Sequence, residues 1–317
     1  MKMNMIRQKI NRRRFITISA ATGLALLDPA RISAANRTDT RKTIMIRWQG
    51  AALGAKAQIM LYSDNPAGAQ EIFRDCQQEI HRLENIFSLY REHSAISRLN
   101  AAGHLDNPPF EFLELMSRCL SCYQITGGAF DVTIQPLWKL YADHFSKPGA
   151  DPAGPSGDDI AGVLRLVGSD KVTLESGGIS FRKPGMGISL NGVAQGYITD
   201  RVSRILRDGG LTNILVHMGE TYASGRHNDG RPWTAGISSP LKDRKILRQI
   251  PLRDMALATS GGYGSPFSDQ SQLHHLLDPK TGRSADHYGA VSVLAKDATT
   301  ADMLSTALYV MTPDRIP

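Results

Sequence analysis

The chain has few cysteines, no long hydrophobic run and little net charge outside its first 35 residues. Its three cysteines are Cys76, Cys119 and Cys122, and no second Cys/His pair has the matching spacing that a zinc site needs. The longest apolar run, residues 16–27, is too short to cross a hydrocarbon core of roughly 30 Å comfortably. These shortages argue against a zinc module and predict a soluble mature body.

The net positive charge of the chain is concentrated at its start. The 317 residues carry a net charge of +7, and the first 35 contain seven Lys and Arg against one Asp, which accounts for six of those charges. The nearly neutral remainder lacks the basic surface that binds a phosphate backbone, so we expect no nucleic-acid partner. With 41% hydrophobic and 21% charged residues, the chain can bury a full core, which excludes disorder as its main description.

Residues 1–35 have the layout of an export signal. Three arginines at 12–14 precede the apolar run, and the small residues 33–35 offer a cleavage site. Consecutive arginines before a mildly apolar segment favour a twin-arginine signal, which implies export by the twin-arginine translocase and a periplasmic mature protein. An uncleaved membrane anchor is the alternative.

Cys119 and Cys122 have CxxC spacing and allow two interpretations. In an oxidising compartment they could form a disulfide or redox pair. They fall, however, within a predicted amphipathic helix, where positions i and i+3 share one face. This placement favours two small buried hydrophobic residues.

The pattern beyond residue 35 predicts a single α+β domain over residues 36–317, because strands and helices are interspersed without a regular βαβ repeat. The Pro-, Gly- and Asp-rich residues 146–159 indicate a surface loop. The end at Pro317, just after a helix with central character, suggests that a last helix and strand are missing. Predicted strands cover residues 44–48, 57–62, 172–174, 179–181, 214–216, 233–235, 256–258 and 290–295, and predicted helices cover 66–87, 109–125, 192–207 and 300–311.

Two glycine-containing segments are candidate ligand-binding turns. Residues 126–133 (TGGAFDVT) follow a helix, and Asp131 could accept a hydrogen bond from a ribose or base edge, although a plain helix terminator is the alternative. Residues 189–197 (SLNGVAQGY) open a helix whose free N–H groups suit phosphate. They lack both the Walker ending and the three-glycine dinucleotide spacing.

Two further segments carry titratable groups. His274 and His275 alternate along a predicted strand and should point to opposite faces, where both cannot easily bind one metal ion. One of these histidines, or Asp278, is a candidate general base or ligand contact. Asp302 and Thr306 are four apart on a helix and could offer oxygen ligands to Mg²⁺. Alternatively, Asp302 stabilises the helix dipole and the Thr306 hydroxyl hydrogen-bonds within its own turn of the helix.

In chain order these segments resemble the ApbE family, the FAD:protein FMN transferases, over about residues 53–311. The strongest matching segments are residues 88–100, 126–133, 275–282 and 302–306, and residues 259–263 (TSGGY) add a turn like the family's. The resemblance implies an α+β, T-fold-related catalytic domain with mixed or antiparallel sheets flanked by helices. It also implies an FAD cleft between the two halves of that domain.

The resemblance further implies Mg²⁺-dependent transfer of FMN from FAD to a threonine of an acceptor flavoprotein, with release of AMP. In this chain His275 and Asp278 are the candidates for the base, and Asp278 alternatively orients His275 or its loop. The other implied positions are Asp302, Thr306 and the carbonyl of Gly192 for the metal, and Leu53, Tyr90, Ala129, Phe130, Asp131, Ser189, Gln195, Leu276 and Ser305 for the flavin cofactor.

The chain departs from the common family pattern in segment 189–196, where many members have Asp-Leu-x-Gly-x-x-Lys-Gly. Ser189 and Gln195 replace a carboxylate and a lysine, so neutral hydrogen bonds must take over beside the cofactor. Leu53 also begins a Leu-Gly-Ala segment where Met-Gly-Thr is usual. With the export signal, these changes resemble the NosX branch, which implies nitrous oxide reductase maturation and a membrane-anchored NosR-like acceptor.

Two other functions stay open at the sequence level. An FAD pyrophosphatase would use the same site to pass FMN to water. A non-catalytic periplasmic FAD-binding maturation factor would have lost its chemistry through Ser189 and Gln195. Because a carrier has no need of Asp302 and Thr306, their presence favours an enzyme.

Overall fold

The computed structural model describes residues 24–26 and 43–316, apart from 242–244 and 270, so most of the predicted export signal lies outside the described residues. The strands are β1 Leu24–Leu26, β2 Ile44–Ala52, β3 Ala55–Ser63, β4 His104–Asp106, β5 Val172–Glu175, β6 Gly178–Phe181, β7 Ile214–Met218, β8 Glu220–Ser224, β9 Trp233–Ser238, β10 Ile246–Leu252, β11 Met255–Ser260 and β12 Val291–Ala295. The helices are α1 Pro66–Phe87, α2 Ala95–Ala102, α3 Phe110–Ile125, α4 Gln135–Phe145, α5 Gly157–Leu164, α6 Ala194–Asp208 and α7 Ala298–Val310.

A six-stranded sheet in the order β12-β11-β8-β7-β3-β2 forms the centre, and every neighbouring pair in it is antiparallel. Two three-stranded antiparallel sheets, β1-β9-β10 and β4-β6-β5, lie beside it. The predicted α+β class is confirmed, and the described strands form antiparallel rather than mixed sheets. Among the described helices, none has the length and apolarity needed to cross a bilayer.

The inner strands of the central sheet are buried on both faces, as the alternation along β3 illustrates. Ile59 and Leu61 enter the large core that α1, α3 and α6 cover, whereas Met60 between them enters a second core. This second core is completed by Trp233 of β9 and Leu252 of β10. Successive side chains of a strand point to opposite faces, so one strand can serve both layers.

Helix α7 is held by polar contacts at its first turn. The Asp297 side chain accepts a hydrogen bond from the backbone N–H of Thr300 at 2.8 Å, as an N-cap residue does. From α6, Asp200 accepts from the N–H groups of Ala298 and Thr299 at 2.7 and 2.9 Å. The middle of α6 and the start of α7 are therefore fixed to each other.

Several predicted boundaries shift in the structure. The predicted loop 146–159 ends earlier than expected, because the Ser156 side chain accepts from Asp159 N at 3.1 Å and α5 begins at Gly157. The turn between β2 and β3 contains only Leu53 and Gly54, both with positive φ (47° and 79°). The sequence prediction missed α2, α4, α5, β4, β8 and β10, and also β1, which falls within the predicted export signal.

The three cysteines are free and buried. Cys119 and Cys122 both contribute to the main core from α3. Burial raises the pKa of Cys119 well above its ordinary value and that of Cys122 to about 11. The interpretation as small buried hydrophobic residues is thus confirmed.

Candidate active site

A cleft lies where the start of α6 and one face of α7 meet the first residue of β8 and the end of β11. It encloses about 1080 Å³ of space between atoms, including open solvent at its mouth. Ten residues predicted from the sequence line it: Ala129, Phe130, Asp131, Ser189, Gly192, Gln195, His275, Leu276, Asp302 and Thr306.

Four predicted residues do not line this cleft. The backbone N–H of Leu53 donates to Glu84 Oε1 at 2.9 Å, and the Tyr90 side chain is 50% exposed. Ser305 is one step removed, because its hydroxyl hydrogen-bonds at 2.8 Å to that of Ser260, which does line the cleft. Direct cofactor contact by Leu53, Tyr90 and Ser305 therefore stays a prediction.

Asp278, the fourth of these residues, forms hydrogen bonds within its own turn. Its carboxylate accepts from Lys280 N at 2.9 Å and from Thr281 Oγ1 at 3.1 Å. These bonds shape the loop that carries His275. The geometry thus favours the loop-orienting alternative for Asp278 over a role as base.

The two glycine-containing segments meet in the cleft. The backbone N–H of Ser189 donates to the carbonyl of Val132 at 2.8 Å, which joins segment 189–197 to segment 126–133. Asp131 helps to hold this junction, since Oδ1 accepts from Thr133 N, Thr133 Oγ1 and Ser169 Oγ, and Oδ2 accepts from Ser169 N. Burial raises the pKa of Asp131. Its carboxylate is largely engaged within the protein.

The predicted metal-ligand residues come together at one wall. A Cβ at Gly192 would lie only 3.1 Å from Thr306 Oγ1, so the segment approaches α7 closely. Asp302 Oδ2 accepts from the backbone N–H of Gly196 at 3.1 Å, and burial raises the pKa of Asp302. Carboxylate, hydroxyl and carbonyl oxygens are the donors that Mg²⁺ prefers, so this set fits that ion. Within the described ranges no group of three or more His, Cys, Asp or Glu forms a metal cluster.

Gln195 brings an unsatisfied donor to the cleft. Its amide packs against Gly219, where a Cβ would fall 2.4 Å from Gln195 Oε1 and where φ is +95°. Gln195 Nε2 is buried and has no hydrogen-bond partner within the described part of the chain. A buried donor of this kind is costly unless a ligand accepts from it.

His274 and His275 do not follow the predicted strand alternation, because His274 forms only an isolated bridge with Pro266 and the centroids of the two rings lie 6.3 Å apart. Their other contacts nevertheless differ. The ring of His274 packs edge-on against Tyr309, with centroids 5.8 Å apart. His275 lines the cleft, and its Nδ1 lies 3.3 Å from the carbonyl oxygen of Ser265. Because a carbonyl only accepts, Nδ1 carries the proton and Nε2 keeps its lone pair. Burial, and secondly the neighbouring His274, lower the pKa of His275 to about 4.

Among the cleft-lining residues that the sequence did not assign to the site, Trp138, Tyr263 and Glu220 have side chains suited to a ligand. Trp138 and Tyr263 supply aromatic surface that a flat ring system could use. Tyr263 ends the TSGGY segment already noted as a motif. The sequence signal for Glu220 is its position, since it is an acidic residue directly after the glycine that separates β7 from β8.

Fold and cleft together define an α+β protein whose ligand site combines buried carboxylates, hydroxyl groups and aromatic rings. The model of the ApbE family matches residues 53–317, and the chain belongs to that family.

Named relatives support the assignment. An FAD:protein FMN transferase of Vibrio cholerae is 30% identical over 282 residues, which cover 85% of this chain and 82% of the relative. The solved apbe protein of Thermotoga maritima superposes with a TM-score of 0.76 at 29% identity, covering 84% of this chain and 87% of its own. The solved flavin transferase ApbE of Vibrio cholerae superposes with a TM-score of 0.75 at 26% identity, covering 86% of this chain and 89% of its own.

Proposed function

We propose that this protein is an FAD:protein FMN transferase that depends on Mg²⁺. The observation that carries the proposal is the joint placement of Asp302, Thr306 and His275 in one cleft of an ApbE-family fold. Oxygen ligands for a cation and an unprotonated imidazole are what the transfer of a phosphoryl-linked group to a hydroxyl requires.

In the proposed reaction a threonine hydroxyl of the acceptor protein attacks the phosphorus on the FMN side of the FAD diphosphate. A new phosphoester bond forms, and the bond to the bridging oxygen breaks, with its electron pair leaving on AMP. His275 is the proposed base, since its Nε2 has a free lone pair for the hydroxyl proton. Nδ1 remains bonded to the Ser265 carbonyl, which keeps the ring oriented.

Other groups of the chain would position the substrate. Asp302, Thr306 and the carbonyl of Gly192 would hold Mg²⁺, which would neutralise charge on the diphosphate and the departing AMP. The unpartnered Gln195 Nε2 can donate to a phosphate oxygen where the common pattern has a lysine. Trp138 and Tyr263 would flank the flavin ring.

We also propose that the acceptor is a membrane-anchored, NosR-like electron donor of nitrous oxide reductase, and that both proteins meet in the periplasm. The support is segment 189–197, with its neutral Ser189 and Gln195, together with the twin-arginine pattern at residues 12–14. Export is testable by fusing residues 1–35 to a reporter. Replacing the arginines at 12–14 with lysine should leave the reporter in the cytoplasm.

The central experiment mixes the mature protein with FAD, Mg²⁺ and a soluble acceptor domain, and follows flavin fluorescence through denaturing electrophoresis. A fluorescent acceptor band that is absent without Mg²⁺ supports the transferase. Release of FMN and AMP without a labelled acceptor indicates the pyrophosphatase alternative. FAD that stays bound and intact indicates the non-catalytic carrier.

A further inference from the structure

Glu220 is a buried carboxylate that the proposed reaction leaves unused. It is the first residue of β8, lines the cleft and is 5% exposed. The backbone N–H of Thr259 donates to its carboxylate. Its Oε2 atom has no hydrogen-bond partner within the described residues. A buried carboxylate oxygen without a partner is costly, which indicates that something else binds it.

The surroundings of Glu220 offer no positive charge. Asp302 also lines the cleft, and its charge is near enough to raise the pKa of Glu220 further, after burial. The residues that line the cleft in the described structure include no lysine or arginine. Two buried carboxylates without a counter-charge repel each other, and a divalent cation between them would relieve that repulsion.

We propose that Oε2 of Glu220 is a further ligand, direct or through a bound water, of the divalent cation held by Asp302 and Thr306. This inference rests on the proposed function for the existence of that cation. It adds a second carboxylate from the sheet to a site otherwise built from α7 and residue 192. Mg²⁺ commonly keeps several waters and uses one or two carboxylates, so this donor set suits it.

Gln195 supplies the competing explanation. Its Nε2 is also buried and unpartnered, and its amide packs against Gly219, the residue before Glu220. A small side-chain rotation could pair Gln195 with Glu220 and give the carboxylate a purely structural role. A Glu220→Gln variant separates the two explanations, because it retains shape and hydrogen bonding but removes the charge.

The test is calorimetric titration of the mature protein with Mg²⁺ in the absence of FAD, alongside thermal unfolding with and without Mg²⁺. For Glu220→Gln we expect Mg²⁺ affinity to fall by roughly tenfold or more, as for lost supporting ligands. The metal-free unfolding midpoint should stay about equal, because burial raises the pKa of Glu220 and glutamine has the shape of the neutral carboxyl that this favours. Glu175→Gln, at the exposed end of β5, is the matched control and should match the wild type.

Wild-type Mg²⁺ affinity in Glu220→Gln would overturn the inference, as would a lower metal-free midpoint with an unchanged response to Mg²⁺. If the glutamine variant does not fold, Glu220→Asp provides the same test. Its side chain keeps the carboxylate but is one methylene shorter, so the carboxylate lies farther from the cation. Weaker Mg²⁺ binding by that variant supports the inference, and unchanged binding overturns it. Flavin transfer by the wild type is measured in a separate assay, so failure of the proposed transferase function can be distinguished from failure of the Glu220 inference.

Discussion

The backbone N–H of Gly196 donates to Oδ2 of Asp302 at 3.1 Å, which joins the first turn of α6 to the ligand face of α7. The helices can approach this closely because residue 196 has no side chain. A Cβ there would lie 2.4 Å from the carbonyl oxygen of Ala298. One turn along α6, Asp200 binds the first N–H groups of α7. The two segments that carry the proposed site therefore form one rigid unit.

Gly196→Ala should destabilise the protein, because the new methyl group would collide with the backbone of α7. Overpacking of this kind costs typically about 1–3 kcal/mol in the free energy of unfolding. Denaturant unfolding measures the change. Gly177→Ala is the control, since a Cβ at Gly177 meets no atom within 4 Å. Equal stability of the two variants would mean that the helices can separate at no cost.

Asp302→Asn should abolish most flavin transfer while leaving the fold intact. The amide keeps the shape of the side chain but is a poor ligand for Mg²⁺, so the transition state loses its charge stabilisation. We expect the rate to fall by roughly 10²-fold or more, as for other lost electrostatic groups. Acceptor fluorescence at saturating Mg²⁺ measures it. The control variant Asp208→Asn, at the exposed end of α6, should transfer flavin at the wild-type rate. Undiminished transfer by Asp302→Asn would show that Asp302 is not part of the site.

The local parts of this fold are predictable from the sequence, and the non-local parts are not. Helix α1 matches its predicted range because Pro66 and the Asn65 cap mark its start and its apolar stripe is regular. Strand β8 was missed because all five of its residues are buried, so no alternation reveals it. Similarly, the spacing of Asp302 and Thr306 follows from one helix. The presence of Glu220 beside them depends on the pairing of β8 with β11, 35 residues further along the chain.

The cysteines should be unreactive in the folded protein. Burial raises the pKa of Cys76 to about 12 and that of Cys122 to about 11, and it also raises the pKa of Cys119. Little thiolate therefore exists near neutral pH. Native protein purified without reductant should not react with a thiol reagent such as Ellman's. After denaturation three thiols should react. Detection of only one would instead mean that Cys119 and Cys122 form a disulfide.

His275→Gln should slow flavin transfer without preventing FAD binding. Glutamine retains a polar group in the cleft but cannot take up a proton from the acceptor hydroxyl. Loss of a general base typically costs about 10²–10⁴-fold in rate. Single-turnover transfer measures the chemical step, and FAD binding is measured separately by fluorescence quenching. A matching loss in Asp278→Asn, combined with normal transfer by His275→Gln, would reassign the base to Asp278.

His275 should also make stability depend on pH in a defined window. Its pKa falls from the ordinary 6.5 to about 4 through burial and the neighbouring His274. Between these values the unfolded chain binds the proton and the folded protein does not, so protonation favours unfolding. The stability that neutral His275 provides is fully present above pH 6.5 and is lost as the pH falls towards 4. The wild type should therefore lose more unfolding free energy across this window than His275→Gln, whereas exposed His93→Gln should follow the wild type. Because the ring partly faces solvent in the cleft, a parallel decline of all three proteins would show that water there stabilises the imidazolium.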